Sequence, residues 1–547
     1  MNHKKYVRNH LLLTLPLSLI GFSTTNLQAQ TWTETASGTY NWDDNVNWGS
    51  NPFPNAIDAV ADVSIDQANP QTVDLNQAIT VGTLNFEDNG ATTGNSTFNI
   101  AAGTGGSLIF QTSSGNASVS LTAPSTARRP KVTISADMVV NSNTTFDTTS
   151  SGSTSKEFVL SGDLSGSASI TKSGSKGRLR VSGDNSAFTG NWILEGGVST
   201  SYFQISADNS LGAVPVTATN NIIVNNTNTI EFGSGTYTIH ENRNILVNSG
   251  TLRVGPSVWN SYVTIAGDIS GAGGVARVTD KGAGAYIQLS GNNTYTGKTS
   301  VTSGALRAGS TTAFGVDSEV VMGTGTYDKH GVLDLNDFDN SIGSLSGGNA
   351  TKGLVDLGTA TLTTGSNDMS TNYAGVIYGT GGVTKVGTGT MTLDGENTYT
   401  GATTVTEGSL ALGASERLND ASRLILDGGT FATGGFSETM GTVVLSESSI
   451  IDLGAGDSDL SFLDSSAEVW TDSIVLSILN FDEGVDSVRF GTDASGLTST
   501  QLSQITLNGG AAFIDASGYL TAVPEVGSFA LMGGLLSLGF AVTRRRK

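Results

Sequence analysis

The sequence predicts an all-β protein wound as a parallel β-solenoid, and three observations predict it. A unit of about 100 residues recurs along the body. Within the units, apolar residues alternate with polar ones in very short segments. No proline occurs from Ser257 to Val523, in a chain with 71 glycines and 9 prolines. The repeat implies stacked copies of one supersecondary unit, none able to bury its apolar face alone. The alternation is the period-2 signature of strands. Proline cannot donate to a strand ladder, so its absence suits a long run of paired strands.

The repeat is read from three related segments. Gly267–Gly309 and Gly375–Gly413 share Asn-Thr-Tyr-Thr-Gly at 293–297 and 397–401. Gly162–Gly197 is a more divergent copy, with Phe188-Thr189-Gly190 in place of Tyr-Thr-Gly. The tripeptide is spaced by 107 and then 104 residues. A second element lies between these copies: Gly331, Phe338 and Gly343 match Gly429, Phe436 and Gly441 at a constant offset of 98. In the N-terminal third, the pairs Leu84/Phe86, Phe98/Ile100, Leu108/Phe110 and Val119/Leu121 follow one another at steps of 10 to 14 residues. One polar residue separates the members of three pairs, and Ile109 separates the fourth. Strands this short need neighbours, and stacking coil on coil pairs each edge with the next. An array of β-sandwiches of about 100 residues each is the competing reading. The lack of proline-rich linkers between units favours the solenoid.

Both ends read as addresses. Lys4, Lys5 and Arg8 precede an apolar stretch from Leu11 to Phe22, and Leu27-Gln28-Ala29 offers a cleavage site after Ala29. This is the order of a secretory signal peptide, so residues 1–29 are set apart from the fold. At the other end, Val523-Pro524-Glu525 leads into 17 residues without charge or proline, Val526 to Val542. Arg544, Arg545, Arg546 and Lys547 follow. The stretch is long enough for one transmembrane helix, with the basic cluster on the cytoplasmic side. The expected organisation is a signal peptide at 1–29, an N-terminal cap and first coils at 30–160, repeat-bearing β-helix at 161–520 with copies near 162–197, 267–309 and 375–413, and a tail at 523–547.

Setting aside the signal and tail cations and Glu525 leaves 20 Lys and Arg against 47 Asp and Glu. Such a body is repelled by nucleic acid and by anionic membrane surfaces. There is no cysteine, so stability must come from burial and hydrogen bonding. Only His240 and His330 remain outside the signal, and no transition-metal constellation or cofactor motif is present.

Three groups of residues invite functional readings. Tyr40, Trp42 and Trp48, with Trp32 nearby, could stack on sugar rings or form an aromatic cap closing the first coil. Asp334, Asp337 and Asp339, and separately Asp457 and Asp459, could offer oxygens to Ca²⁺ or serve as turn residues. No acidic pair stands out as the two carboxylates of a glycosidase, and no catalytic residue is assigned. Leu289 and Leu393 occupy equivalent repeat positions and are assigned to the core. Gly297 and Gly401 are assigned to sites where only glycine fits, through positive φ or tight stacking.

Two resemblances sharpen these expectations. The core formed by Ser-Gly-x-Gly-Gly-x-Thr-Lys, Leu-Ser-Gly-Asn-Thr-Tyr-Thr-Gly and Gly-x-Leu resembles the autotransporter-associated β-strand repeat. Asn41-Trp42-Asp43-Asp44, Asn47-Trp48, and the stretch from Phe436 to Ile505 also resemble such proteins. That resemblance implies a right-handed parallel β-helix of a passenger region or large surface protein. The tail resembles the PEP-CTERM sorting signal. Pro524 and Glu525 match its first two motif positions, and Val526 stands where the second proline would be. It implies partnership with the secretion and exosortase-type sorting machinery, transient membrane anchoring, and delivery to the cell surface, outer membrane or extracellular matrix of a bacterium. The expected role is therefore a non-catalytic structural or adhesin-like surface protein. The alternative is a carbohydrate-active enzyme or polysaccharide-binding protein on the same scaffold.

Overall fold

A computed structural model describes residues 28–65, 69–88, 97–122, 130–149, 156–197, 200–233, 235–256, 261–278, 285–323 and 331–522. They form a parallel β-solenoid. A typical coil carries three short strands, Thr97–Ala101, Ser107–Phe110 and Ala117–Thr122. The next coil repeats them at Lys131–Ile134, Asp137–Val140 and Thr144–Asp147, each parallel to the strand one coil before. Turns of Gly, Asn, Ser and Asp separate the strands, as their preference for turn backbone dictates.

Among the described residues, one ladder runs from Gly38–Asn41 to Ile505–Leu507 through nineteen successive parallel pairings. This continuity rules out separate sandwiches. The ladder thins once, to the single pair Gly347↔Tyr373. Coil length varies along the axis: 26 residues separate Val132 from its partner Phe158, 19 separate Met391 from Leu410, and 29 separate Leu476 from Ile505.

Register keeps the inward residues in columns. Phe98, Val132, Phe158, Leu179, Phe203, Ile230 and Val254 are successive partners, and all are buried. The four apolar pairs read from the sequence are buried too, while Ile109 between Leu108 and Phe110 is only half-buried. Leu289 and Leu393 are fully buried.

The two ends are built differently. At the first coil Trp32 packs edge to face on Trp48 and Trp42 packs tilted against it, with ring centroids 5.1 and 4.9 Å apart. At the other end a one-turn helix, Ser499–Ser503, starts in a capping box formed by Thr498 and Gln501. Gly510–Ile514 and Leu520–Ala522 then fold back antiparallel. This hairpin covers a strand edge that would otherwise invite pairing with another chain. Among the described residues no helix is long and apolar enough to cross a membrane. The proposed span at Val526–Val542 lies outside the described residues.

Replacing Leu393 with Asp puts an unpaired charge inside the stack, at a cost of roughly 3–5 kcal/mol. Limited proteolysis should therefore cut Leu393→Asp near the substitution at protease levels that leave Asp457→Ala intact. Equal resistance of the two variants would contradict the core assignment.

Candidate functional site

The residues that the repeat preserves point inward. The Tyr295 hydroxyl meets Thr299 Oγ1 at 2.7 Å, Thr299 meets Ser318 Oγ at 2.8 Å, and Ser318 donates to the carbonyl of Gly297 at 2.7 Å. The next copy repeats this chain with Tyr399, Thr403, Ser422 and Gly401 at 2.7, 3.1 and 2.7 Å. Burial raises both tyrosines' pKa, so their hydroxyls stay protonated and available as donors. The divergent copy solves the same position with rings. Phe188 replaces the tyrosine, Trp192 replaces the threonine, and their ring centroids lie 5.6 Å apart. Trp192 Nε1 then donates to the carbonyl of Leu211, the residue in the serine's place, at 2.9 Å.

A buried asparagine accompanies each copy and ties one coil to another. Asn185, Asn293 and Asn397 accept from the backbone N–H of Leu164, Ile269 and Ile377 at 2.7, 2.8 and 2.9 Å. Gly297 and Gly401 do not have positive φ; tight stacking is their reason. A Cβ on Gly401 would sit 2.3 Å from the carbonyl oxygen of Gly381, and one on Gly297 would sit 2.4 Å from the carbonyl carbon of Gly273.

Each copy also buries a cation. Lys172 Nζ donates to Ser201 Oγ at 2.6 Å. Arg277 Nε donates to the carbonyl of Ala305 at 3.3 Å. Lys385 Nζ donates to the carbonyls of Val386 and Gly387, both at 2.7 Å. Loss of water pulls the Lys172 amine down to about 8, against the opposing pull of Asp147. These cations satisfy hydroxyl and carbonyl oxygens inside the coil.

Glu438 brings a carboxyl into this network. It lies 98 residues after Asn340 and does the same job. Asn340 Oδ1 accepts from Ala313 N at 3.1 Å; Glu438 Oε2 accepts from Arg417 N at 2.7 Å. The carboxyl is fully buried, and burial pushes it up to about 8, against the backbone hydrogen bonds from Arg417 and Leu418.

The acidic runs disperse into separate roles. Asp334 pairs with Arg307 at 2.7 Å, Asp337 accepts from Thr359 N at 2.8 Å, and Asp339 accepts from Thr361 N at 2.7 Å. Asp459 accepts from Ser487 Oγ. Among the described residues no group of three or more His, Cys, Asp and Glu converges to hold a metal. His240 Nδ1 accepts from Asn242 N; His330 lies outside the described residues. The tryptophans are 2, 0 and 0% exposed at 32, 42 and 48. Their indole N–H groups donate to Gln71 Oε1, the Pro54 carbonyl and the Trp42 carbonyl. They form a cap with no face open to a sugar. Ala29 is exposed, just before Gln30–Thr31. Pro524, Glu525, Arg544, Arg545, Arg546 and Lys547 lie outside the described residues.

Comparison with known proteins meets this architecture at the repeats. Residues 170–198, 282–308 and 383–412 match the passenger-associated-transport-repeat family. The chain is also similar to the adhesin BmaC autotransporter of Brucella suis biovar 1 (strain 1330), with 34% identity over 265 residues. That match takes in 46% of this chain and 7% of the much longer adhesin. No solved structure matches the chain.

Two outcomes follow. Tyr399→Phe strands part of the Thr403 hydroxyl's bonding at a cost of about 1–2 kcal/mol. Adding Thr403→Val should cost less than the sum of the single changes in denaturant melts; strict additivity would disprove the coupled chain. Glu438 sets a pH dependence. Its folded pKa is raised from 4.5 to about 8, so its stabilising share is full below about 4.5 and is lost as pH rises through about 8. The wild type should melt higher at pH 5 than at pH 8.5, and Glu438→Gln should shrink that difference. An unchanged difference would show that Glu438 is not its source.

Proposed function

We propose that this chain is an exported, non-catalytic, adhesin-like surface protein whose stacked coils form a stiff stalk. One observation carries the reading. Each of the three segments that match passenger repeats turns an asparagine inward to bind coil to coil, Asn185, Asn293 and Asn397, beside a buried Tyr–Thr or Phe–Trp pair. The features that the family pattern marks therefore maintain a scaffold. Similarity to an autotransporter adhesin supports placing that scaffold at a bacterial cell surface. The acidic body is compatible with display outside the cell, where solubility matters and anionic surfaces are to be avoided.

The sequence of the two ends extends the proposal. Residues 1–29 direct export, and Pro524-Glu525, the apolar stretch and the Arg544–Lys547 cluster direct sorting by an exosortase-type enzyme after transient anchoring. Mass spectrometry of the native protein, taken from fractionated cells, tests this. The body should be recovered from the surface or matrix, starting near Gln30 and lacking Arg544–Lys547. An intact C-terminus in the inner membrane would make the tail a permanent anchor, and a body retained in the cytoplasm would overturn the proposal.

A further inference from the structure

A cavity of about 330 Å³ opens on the outer face of the last coils. Its floor is a column of register partners, Thr439, Ser461 and Arg489. The loops after the second and third of these strands form its rim and bring Asp464 and Asp493 to it. The Leu463 side chain, 56% exposed, supplies an apolar wall.

Arg489 is the unusual member. Its Nε is buried without a hydrogen-bond partner, and its guanidinium lies over the Tyr519 ring, 5.5 Å from the centroid. A buried donor left unmatched is costly. Arg178 and Arg253 also have a buried Nε without a partner, but Arg178, Arg307 and Arg423 are each ion-paired, with Glu231, Asp334 and Glu468. The two rim carboxylates line the cavity with the same commitments. Asp464 Oδ1 accepts from Ser466 N and Oγ at 2.9 and 2.7 Å, and Asp493 Oδ1 accepts from Ser495 N and Oγ at 2.8 and 2.5 Å. In each, these bonds fall on one oxygen and leave the other as an acceptor.

We infer that this cavity binds a neutral sugar residue of a glycan, an inference that rests on the surface role proposed above. A sugar ring offers hydroxyls that both donate and accept, and C–H faces that pack on apolar side chains. The cavity presents matching groups: guanidinium donors, free carboxylate oxygens, the Thr439 and Ser461 hydroxyls, and Leu463. Two carboxylates against one guanidinium leave the site net negative, which disfavours uronate or sulfated sugars. The volume is at the low end for ligand pockets and suits one or two rings, not a long chain lying in a groove.

The test is calorimetric titration of the full exported chain with oligosaccharides derived from dextran, mannan and galactan, with uronate oligomers as the comparator. At least one neutral oligosaccharide should bind saturably. Arg489→Gln should weaken it at least about tenfold, as loss of a central arginine anchor does. Leu463→Ser, at an exposed position, should weaken it as well while leaving the melting temperature unchanged. The inference is overturned if no neutral oligosaccharide binds, if binding survives both substitutions, or if uronate oligomers bind more tightly. A correctly displayed protein that binds no sugar refutes this site alone. A protein missing from the surface refutes the proposed function instead.

Discussion

Parallel pairing between successive coils is the constraint on which everything else in this molecule depends. A strand of three or four residues cannot satisfy its own backbone; its N–H and C=O groups are met by the coils before and after it. The ladder must therefore be continuous, and every side chain that enters the stack must keep register with those above and below. The consequences are visible at the corners. There backbone N–H groups leave the strand ladder, and Asn185, Asn293, Asn340 and Asn397 accept them from another coil. Outside, aspartates do the same in series: Asp137 accepts from Asp163 N, and Asp163 accepts from Asp184 N.

The same constraint accounts for part of the glycine content. Where backbones cross at a corner, a Cβ has no room, as at Gly401 over Gly381. Such glycines are required by packing and not by φ. It also explains how one repeat tolerates two chemistries. Tyr399 with Thr403 and Phe188 with Trp192 fill equivalent space, and each arrangement ends by satisfying or using a backbone carbonyl. The filled space is common to both; the accepting carbonyl is not, being that of Gly401 in one and of Leu211, in the serine's place, in the other.

Much of this was legible in the sequence. The alternation at Leu84/Phe86 and Phe98/Ile100 and the recurring Asn-Thr-Tyr-Thr-Gly led to the solenoid and to Leu289 and Leu393 as core. Two roles were less legible. A cluster of Trp32, Trp42 and Trp48 reads as a cap or as a platform, because only burial distinguishes the two. The aspartates at 334, 337 and 339 sit close in sequence, but the winding sends each to a different partner. Glu438 could have been found: the 98-residue offset that matches Phe338 with Phe436 also matches Asn340 with Glu438, and an acid in a buried asparagine's place is a signal. Arg489 could not. Its meaning comes from strands and loops of neighbouring coils that only the winding brings together.

Hydrogen exchange along the whole body tests the central claim most directly, because it reads the pairing of each coil with the next. Continuous stacking predicts slowly exchanging amides in every strand from Val60–Ile65 to Ile505–Leu507, with protection uninterrupted between the repeat copies. Protection confined to blocks of about 100 residues, separated by fast-exchanging linkers, would show independent domains and contradict the account.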